Sequence, residues 1–535
     1  MQLLQVLSLG FLASVASARG DSSRLDRVMD KQHEQMERVK AAYASANSQN
    51  VHSKRQDNGT LPFSNPAAEP FYVDGTSIPE VNFDAGPSWA GLLPISGDPD
   101  EDKKLFFWLW PTSNPDNADK LLFWTNGGPG CSSLEGFLQE NGPIIWNWGQ
   151  SEPEANPYSW TELANVVWVE QPVGTGFTQG TPNITNDDEL AAQLTGFLGQ
   201  FIEVFDELQG AEFYLSGESY AGYYVPYIAN YIYENPGLNL DLQGIWIADP
   251  SLSYDIVQGE IPTLRFVQAN ANVFPFNSTF LAHLQNISDA CGYTTYLDDY
   301  VKYPPEGLLP LVGNREASTR VSDECAIWDE VYNEIFSLNP VFNVYRVTDT
   351  FPNLWSVLGF PRDTQQFIYF NRTDVQDAIH APRKVWEDCL GPVYVNGDHS
   401  LPSMLSIFPN VIEKSARTVV VHGLADMILI AEGTRIAIQN MTWAGAQGFQ
   451  TPIEPESFIV DDDILDVHGV YGNLHQERNL TYVEFYMSGH MTPRTWLTAA
   501  IIERGLTGVY PSEFVPWAAY QTIAYLTGAR ESPSA

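Results

Sequence analysis

Basic side chains are scarce in this chain. Its 535 residues carry 27 Lys and Arg against 66 Asp and Glu, a formal net charge of −39. Such a surface repels polyanions, so nucleic acid and anionic membranes are not expected as partners. Cysteine is also sparse: Cys131, Cys291, Cys325 and Cys389 are the four present. None stands in a C-x-x-C pair, which argues against a zinc ribbon or a dithiol redox motif and for two disulfides, with three pairings open. No cofactor or metal is expected. After the first eighteen residues no apolar run reaches transmembrane length, and the polar end LTGARESPSA is not a lipid-anchor tail.

What is present points to export. An apolar run from Leu3 to Val15 ends in Ala16-Ser17-Ala18, a signal-peptide pattern that is too short to span a bilayer, although its leading end lacks Lys and Arg. Residues 19–55 have a broken helical period, with apolar positions at Leu25, Val28, Met29, Met36 and Val39, and stop at the dibasic pair Lys54-Arg55. We read 1–18 as signal and 19–55 as a pro-segment whose removal leaves a more acidic body, 56–535. Sequons at Asn58, Asn183, Asn277, Asn286, Asn371, Asn440 and Asn479 mark candidate glycosylation sites in a secreted chain. The expected destination is extracellular, with the vacuole as the alternative.

From Phe71 onward short apolar runs alternate with helical periods. Strands are expected at Leu105–Trp110, Leu121–Trp124, Val166–Glu170, Glu212–Ser216, Gly244–Ala248, Thr418–His422 and Tyr482–Met487, and helices at Glu189–Glu207 and Gly222–Glu234. That rhythm implies an α/β fold with a mostly parallel sheet covered on both faces. It lapses between about 250 and 417, which we read as an inserted cap.

The stretch YLSGESYAG, Tyr214–Gly222, places Ser219 on a strand-turn-helix junction, the context of a nucleophile elbow. The usual G-x-S-x-G pattern has Ala221 in its last place, so the motif alone is weak. A serine hydroxyl needs a base, itself oriented by a carboxylate, and in this fold class the acid and the histidine follow the serine at strand ends. Asp426 follows TVVVHG and His490 follows YVEFYMSG. His422 ends its strand too early, and His468 and His475 fall in an acidic, glycine-containing stretch that reads as a solvated loop. In Asn126-Gly127-Gly128-Pro129-Gly130, after the strand LLFW, the amide of Gly128 is placed to join that of Tyr220 as an oxyanion hole.

Taken together, WTNGGPGCSS, NVVWVEQPVGTGF, GESYAGYYVP and GHM resemble the serine carboxypeptidase family in order and spacing, and most closely its secreted fungal members. The resemblance runs from about Phe71 to the C-terminus. It implies an α/β-hydrolase fold with a cap subdomain, acid-active release of single C-terminal residues from peptides through an acyl-enzyme, and Ser219, Asp426 and His490 as the triad. It further implies that Asn126, Glu140 and Glu218 grip the substrate's terminal carboxylate, with Trp124 and Gly127 beside them. Two adjacent glutamates can accept a third carboxylate only by sharing a proton, so their apparent pKa must be raised. The family pairing would join Cys131 to Cys389 and leave Cys291 with Cys325. The chain departs from the family at Leu424 and Ile430 around the acid, and at Ala248-Asp249-Pro250. These changes bear on the side-chain pockets, where Ile428, Leu429 and Met491 are expected. An acyltransferase or esterase on the same scaffold is the alternative activity, and a non-catalytic binding role would require a lost triad member.

Overall fold

The computed structural model describes residues 61–147, 150, 152–313, 315–316, 320–340, 342–349, 368–453, 456–462, 467–494 and 516–535. The signal peptide, the pro-segment and Asn58 lie outside the described residues. Contacts divide the chain into two units, 55–460 with 468–535, and 1–54 with 461–467. Of the second unit only 461, 462 and 467 are described. Everything below concerns the first.

Eleven strands form one sheet. They are β1 (Tyr72–Val73), β2 (Ser88–Pro94), β3 (Lys104–Trp110), β4 (Lys120–Thr125), β5 (Asn165–Glu170), β6 (Glu212–Glu218), β7 (Asp241–Ala248), β8 (Arg417–Gly423), β9 (Ser457–Asp462), β10 (Val467–Glu477) and β11 (Leu480–Phe485). Their spatial order is β1-β2-β3-β5-β4-β6-β7-β8-β11-β10-β9. The run from β5 to β11 is parallel throughout, while β1 to β3 and the β10/β11 pair are antiparallel. Continuous apolar runs such as KLFFWLW and NVVWVE are what a strand covered on both faces requires.

Helices supply the cover. Helix α1 (Asp187–Val204) starts at Asn186, whose side chain accepts from the amide of Glu189, and it buries Leu190, Leu194, Phe197, Leu198 and Phe201 at helical spacing. Helix α2 (Ala221–Glu234) follows β6 after a two-residue turn and packs on α1 and on both neighbouring strands.

Two apolar clusters exist. The larger lies around the sheet; the smaller gathers Ile256, Leu264, Leu284, Val331, Ile335 and Phe342 with Met427 and Ile430, stapled by the Cys291–Cys325 bridge. The expected cap boundary at 417 does not match this packing. Val393, Tyr394, Met404, Phe408, Val411 and Ile412 belong to the larger cluster. The short helix Phe408–Lys414 lies along α2, with Asn410 donating to Asn230 at 2.7 Å and Lys414 meeting Glu234 at 2.5 Å. An irregular segment can thus belong to the sheet's own core, and the loss of strand rhythm did not mark where the second core ends.

A second correction concerns the stretch read as a solvated loop around His468 and His475. It is strand β10, and His475 is buried, its Nε2 2.9 Å from Glu477 and its ring 4.4 Å from that of Phe449. Of the sequons, Asn183, Asn277, Asn286 and Asn479 are exposed, and Asn371 and Asn440 are half-buried. The side-chain amide of Asn371 is spent on the backbone of Trp386, and that of Asn479 donates to the carbonyls of Ile412 and Ser415.

Candidate active site

Strand β6 ends against α2 at Ser219, a non-glycine residue with φ 64°. A left-handed serine costs on the order of 1–3 kcal/mol and persists only where its surroundings impose it. The backbone here is held by Ser219 N donating to Ala248 O at 2.9 Å and by Ser251 N donating to Ser219 O at 2.9 Å. Ala221 in place of the usual glycine is accommodated because the crowding falls on the other partner. A Cβ on Gly217 would sit 2.7 Å from that of Ala221 and 2.5 Å from Thr125 O, so Gly217 is the position that must stay bare.

The loop after β4 comes close to this elbow. A Cβ on Gly127 would lie 2.4 Å from Tyr220 N and 2.9 Å from Ser219 Cβ. Gly127→Ala is therefore expected to push the loop and elbow apart and to lower kcat/KM at least about a hundredfold, because displaced oxyanion donors lose their aim. Steady-state kinetics with a circular-dichroism check of folding would test this; near-normal kcat/KM would refute it. Neither Gly128 N nor Tyr220 N donates to an acceptor among the described residues.

Asp426 and His490 meet as expected. His490 Nδ1 lies 2.7 Å from Asp426 Oδ2, while Asp426 Oδ1 accepts from the amides of Ile428 at 2.7 Å and Leu429 at 3.3 Å. His490 N donates to Tyr345 O at 2.8 Å, fixing the turn after β11. Burial would raise the Asp426 carboxyl, but His490 and His422 beside it outweigh burial and hold it below the ordinary range. An ionised Asp426 on Nδ1 leaves Nε2 as the basic nitrogen. Ser219 Oγ makes no hydrogen bond among the described residues. With His490 it lines a cavity of about 360 Å³ whose wall includes Gly127, Gly128, Glu218 and Asn126.

Asn126 links the carboxylate-binding candidates. Its Nδ2 donates to Glu218 Oε1 at 2.9 Å and to Glu140 Oε1 at 3.3 Å, and its Oδ1 accepts from Trp124 Nε1 at 2.8 Å. Asn126, Gly127 and Glu218 face the cavity. Glu140 and Trp124 are fully buried and back it, so their expected place beside the substrate becomes one behind Asn126. Burial, then repulsion from Glu135, raises Glu140 to about 8, and burial with the charge of Glu140 raises Glu218 well above the carboxylate range. Glu140 Oε2 and Glu218 Oε2 are both buried with no donor. The two carboxyls lie within hydrogen-bond reach of each other, a contact that one shared proton allows.

Of the three pocket candidates, Ile428 and Met491 line the cavity and Leu429 does not; its carbonyl instead accepts from His422 Nε2 at 2.7 Å. Sequence reasoning missed Glu135, Asp388 and Arg494. Glu135 and Asp388 line the cavity, and Arg494 is buried close by, donating to Asn147 and Gln139 at 3.1 Å each. Their signals were an acid on an otherwise apolar helix and an acid beside Cys389. Among the described residues, Asp249, His422 and Asp426 are the group close enough to share a metal ion. Both nitrogens of His422 are already engaged, by Leu429 O and by Thr434 Oγ1 at 3.0 Å, and Asp249 Oδ1 accepts from Gly423 N at 2.8 Å. The cluster reads as support behind Asp426.

Residues 79–502 match the family model described as serine carboxypeptidase. The chain belongs to the serine carboxypeptidase family. It is 43% identical over 498 residues to a probable serine carboxypeptidase of Arthroderma benhamiae, covering 89% of each chain. It is 37% identical to serine-type carboxypeptidase F of Aspergillus niger, covering 88% of this chain and 89% of the relative. Among solved structures it resembles Kex1(delta)p, a prohormone-processing carboxypeptidase from Saccharomyces cerevisiae, with TM-score 0.62 at 24% identity over 82% of this chain and 95% of the other. This serine carboxypeptidase thus has the α/β-hydrolase fold, and it carries the Cys131–Cys389 and Cys291–Cys325 bridges. No helix among the described residues is long and apolar enough to cross a membrane.

Proposed function

We propose that this serine carboxypeptidase works at acidic pH, with Ser219 attacking the last peptide bond of a chain whose terminal carboxylate rests on Asn126, Gly127 and Glu218. His490 takes the serine proton and passes it to the leaving amino acid; Asp426 holds the imidazole and stabilises its charged form. The amides of Gly128 and Tyr220 receive the oxyanion, and water then hydrolyses the ester on Ser219. The observation that carries the exopeptidase reading is the buried Glu140–Glu218 pair on Asn126, because a proton-sharing pair beside the nucleophile suits a carboxylate ligand.

Both carboxyls sit above their usual range, so the shared proton is present in acid and is lost as pH rises towards about 8. We expect kcat/KM for a peptide with a free C-terminus to fall over that interval more steeply than for its C-terminal amide. In Glu218→Gln, whose amide donates at any pH, the difference should flatten. Parallel profiles for acid and amide in the wild type would sink this assignment, and transfer of the acyl group only to an alcohol, with no free amino acid released, would sink the peptidase reading.

We further propose that the chain is exported and processed after Arg55, to the medium or the vacuole. Asn183, Asn277 and Asn286 are the sequons best suited to glycans, being exposed without a backbone carbonyl depending on their amides.

A further inference from the structure

The cavity that holds Ser219 has an acidic wall that the chemistry above does not use. Glu135, on the short helix Ser133–Gly136, and Asp388, next to the Cys131–Cys389 bridge, both line it. Asp388 is 9% exposed, and its Oδ1 is buried with no hydrogen-bond partner. Ser132 N donates to Asp388 O at 2.7 Å, and Leu390 N to Gly130 O at 2.9 Å, so the residue is fixed against the loop that presents the oxyanion amide. An acceptor buried without a donor calls for an explanation, and a donor-bearing group of the substrate supplies one.

The position of this wall relative to the carboxylate clamp suggests what that group is. Gly136 N, directly after Glu135, donates to Asn126 Oδ1 at 3.2 Å. A terminal residue whose carboxylate rests on Asn126 therefore has Glu135 beside it, with Asp388 on the same cavity wall. We propose that Glu135 and Asp388 form the subsite for the side chain of the released residue and select a cationic one, lysine or arginine. The proposal rests on the clamp reading given above.

The surrounding charges leave room for a cation. The charged groups close enough to act on the pair are Arg494, His490, Glu140, Glu218 and, at Asp388, Glu170. Arg494 offsets one negative charge, and its guanidinium is already held by Asn147, Gln139 and the Met491 sulfur. Burial raises both carboxyls, and repulsion from Glu135 adds to the rise at Asp388. The empty subsite is thus neutral in acid and becomes anionic as pH rises, or when an ammonium or guanidinium enters and displaces the proton. Neutral side chains are tolerated at low pH, and selectivity for cations grows with pH.

The test uses the processed enzyme and N-blocked dipeptides that share one penultimate residue and end in lysine, arginine or norleucine, which is lysine's apolar analogue. Lysine and arginine should exceed norleucine in kcat/KM by at least roughly tenfold at pH 6, as close charge pairs in a desolvated site warrant, and the ratio should shrink towards pH 4. Asp388→Asn and Glu135→Gln should each lower the lysine-to-norleucine ratio about fivefold or more, with active sites counted by phosphonate titration. Glu135 is half-buried, so its variant serves if Asp388→Asn fails to fold. A ratio at or below one at every pH, or one unmoved in the variants that fold, overturns the subsite while release of norleucine upholds the peptidase. Release of no residue at all overturns both.

Discussion

Ser219→Ala is expected to lower kcat by roughly six orders of magnitude, the loss seen when the nucleophile of a serine-protease triad is removed. His490→Ala should cost about as much, and the double variant no more than either alone, because the two side chains act on one proton transfer. Asp426→Asn keeps the contact to His490 but removes the charge that fixes its tautomer, so a smaller loss of about ten thousandfold is expected. Binding should survive, since the clamp at Asn126 does not involve the serine hydroxyl; a product amino acid should bind Ser219→Ala with unchanged Kd. The elbow adds a stability arm. Alanine at φ 64° keeps the backbone strain and glycine does not, so Ser219→Gly should melt above Ser219→Ala. Labelling by an organophosphonate, present in the wild type and absent in Ser219→Ala, checks the role directly. An active or labelled Ser219→Ala would remove Ser219 from the mechanism.

The parts of this protein that could be read from sequence share one physical property, burial on both faces. Strands β3 to β8 show it as uninterrupted apolar runs, and β11 as LTYVEF, all of it buried. Strand β9 is covered on one face only, with Phe458 and Val460 buried and Ser457 and Ile459 exposed, and its acidic surroundings hid the alternation. The clamp shows a different limit. Nothing local to Glu140 signals a partnership with Glu218, and their meeting through Asn126 was legible only because the motifs resemble a family. Glu135 and Asp388 had no such guide, though the expected Cys131–Cys389 pairing already brought Asp388 to the oxyanion loop.

The departures from the family pattern also gain a physical account. Ile430, where the family has asparagine, is buried in the second apolar cluster. Asp249, in the altered turn after β7, lies 3.7 Å from His422, which is itself 3.7 Å from Asp426 Oδ2. The histidine dismissed for ending its strand too early thus stands behind Asp426. With Ile430 giving its side chain to the apolar core, polar support for Asp426 comes from His422 and, behind it, Asp249.

Raising the pH from about 5 to 8 is expected to destabilise the folded enzyme by several kcal/mol. Burial lifts Glu140 and Asp187 to about 8, and Glu170 and Glu260 to about 7. A carboxyl raised in the folded state keeps a proton that the unfolded chain releases. Its contribution is full below the unfolded pKa and is lost as pH climbs through the folded one. Glu170 alone, moved from 4.5 to about 7, is worth on the order of 3 kcal/mol. On the acid side the sign reverses for Glu484. Burial would raise it, but the Arg435 guanidinium at 2.5 Å outweighs burial and holds it below 4.5, so its contribution is lost as pH falls through that lowered value. Tm should therefore peak at about pH 4–5 and decline towards pH 8, helped by self-repulsion of a chain carrying −39 formal charges. Glu170→Gln isolates one contributor. Glu170 accepts from Ser132 Oγ and Trp386 Nε1 on one oxygen and from Phe177 N on the other; a glutamine does not titrate, and the one N–H contact it loses, because it has a single accepting oxygen, is lost at every pH alike. Its unfolding free energy, measured by denaturant at pH 5 and pH 8, should fall about 3 kcal/mol less than that of the wild type. A wild-type Tm that is flat or rising over this interval would mean that these carboxyls are ionised in the folded protein, and the shared proton of Glu140 and Glu218 would lose its basis with them.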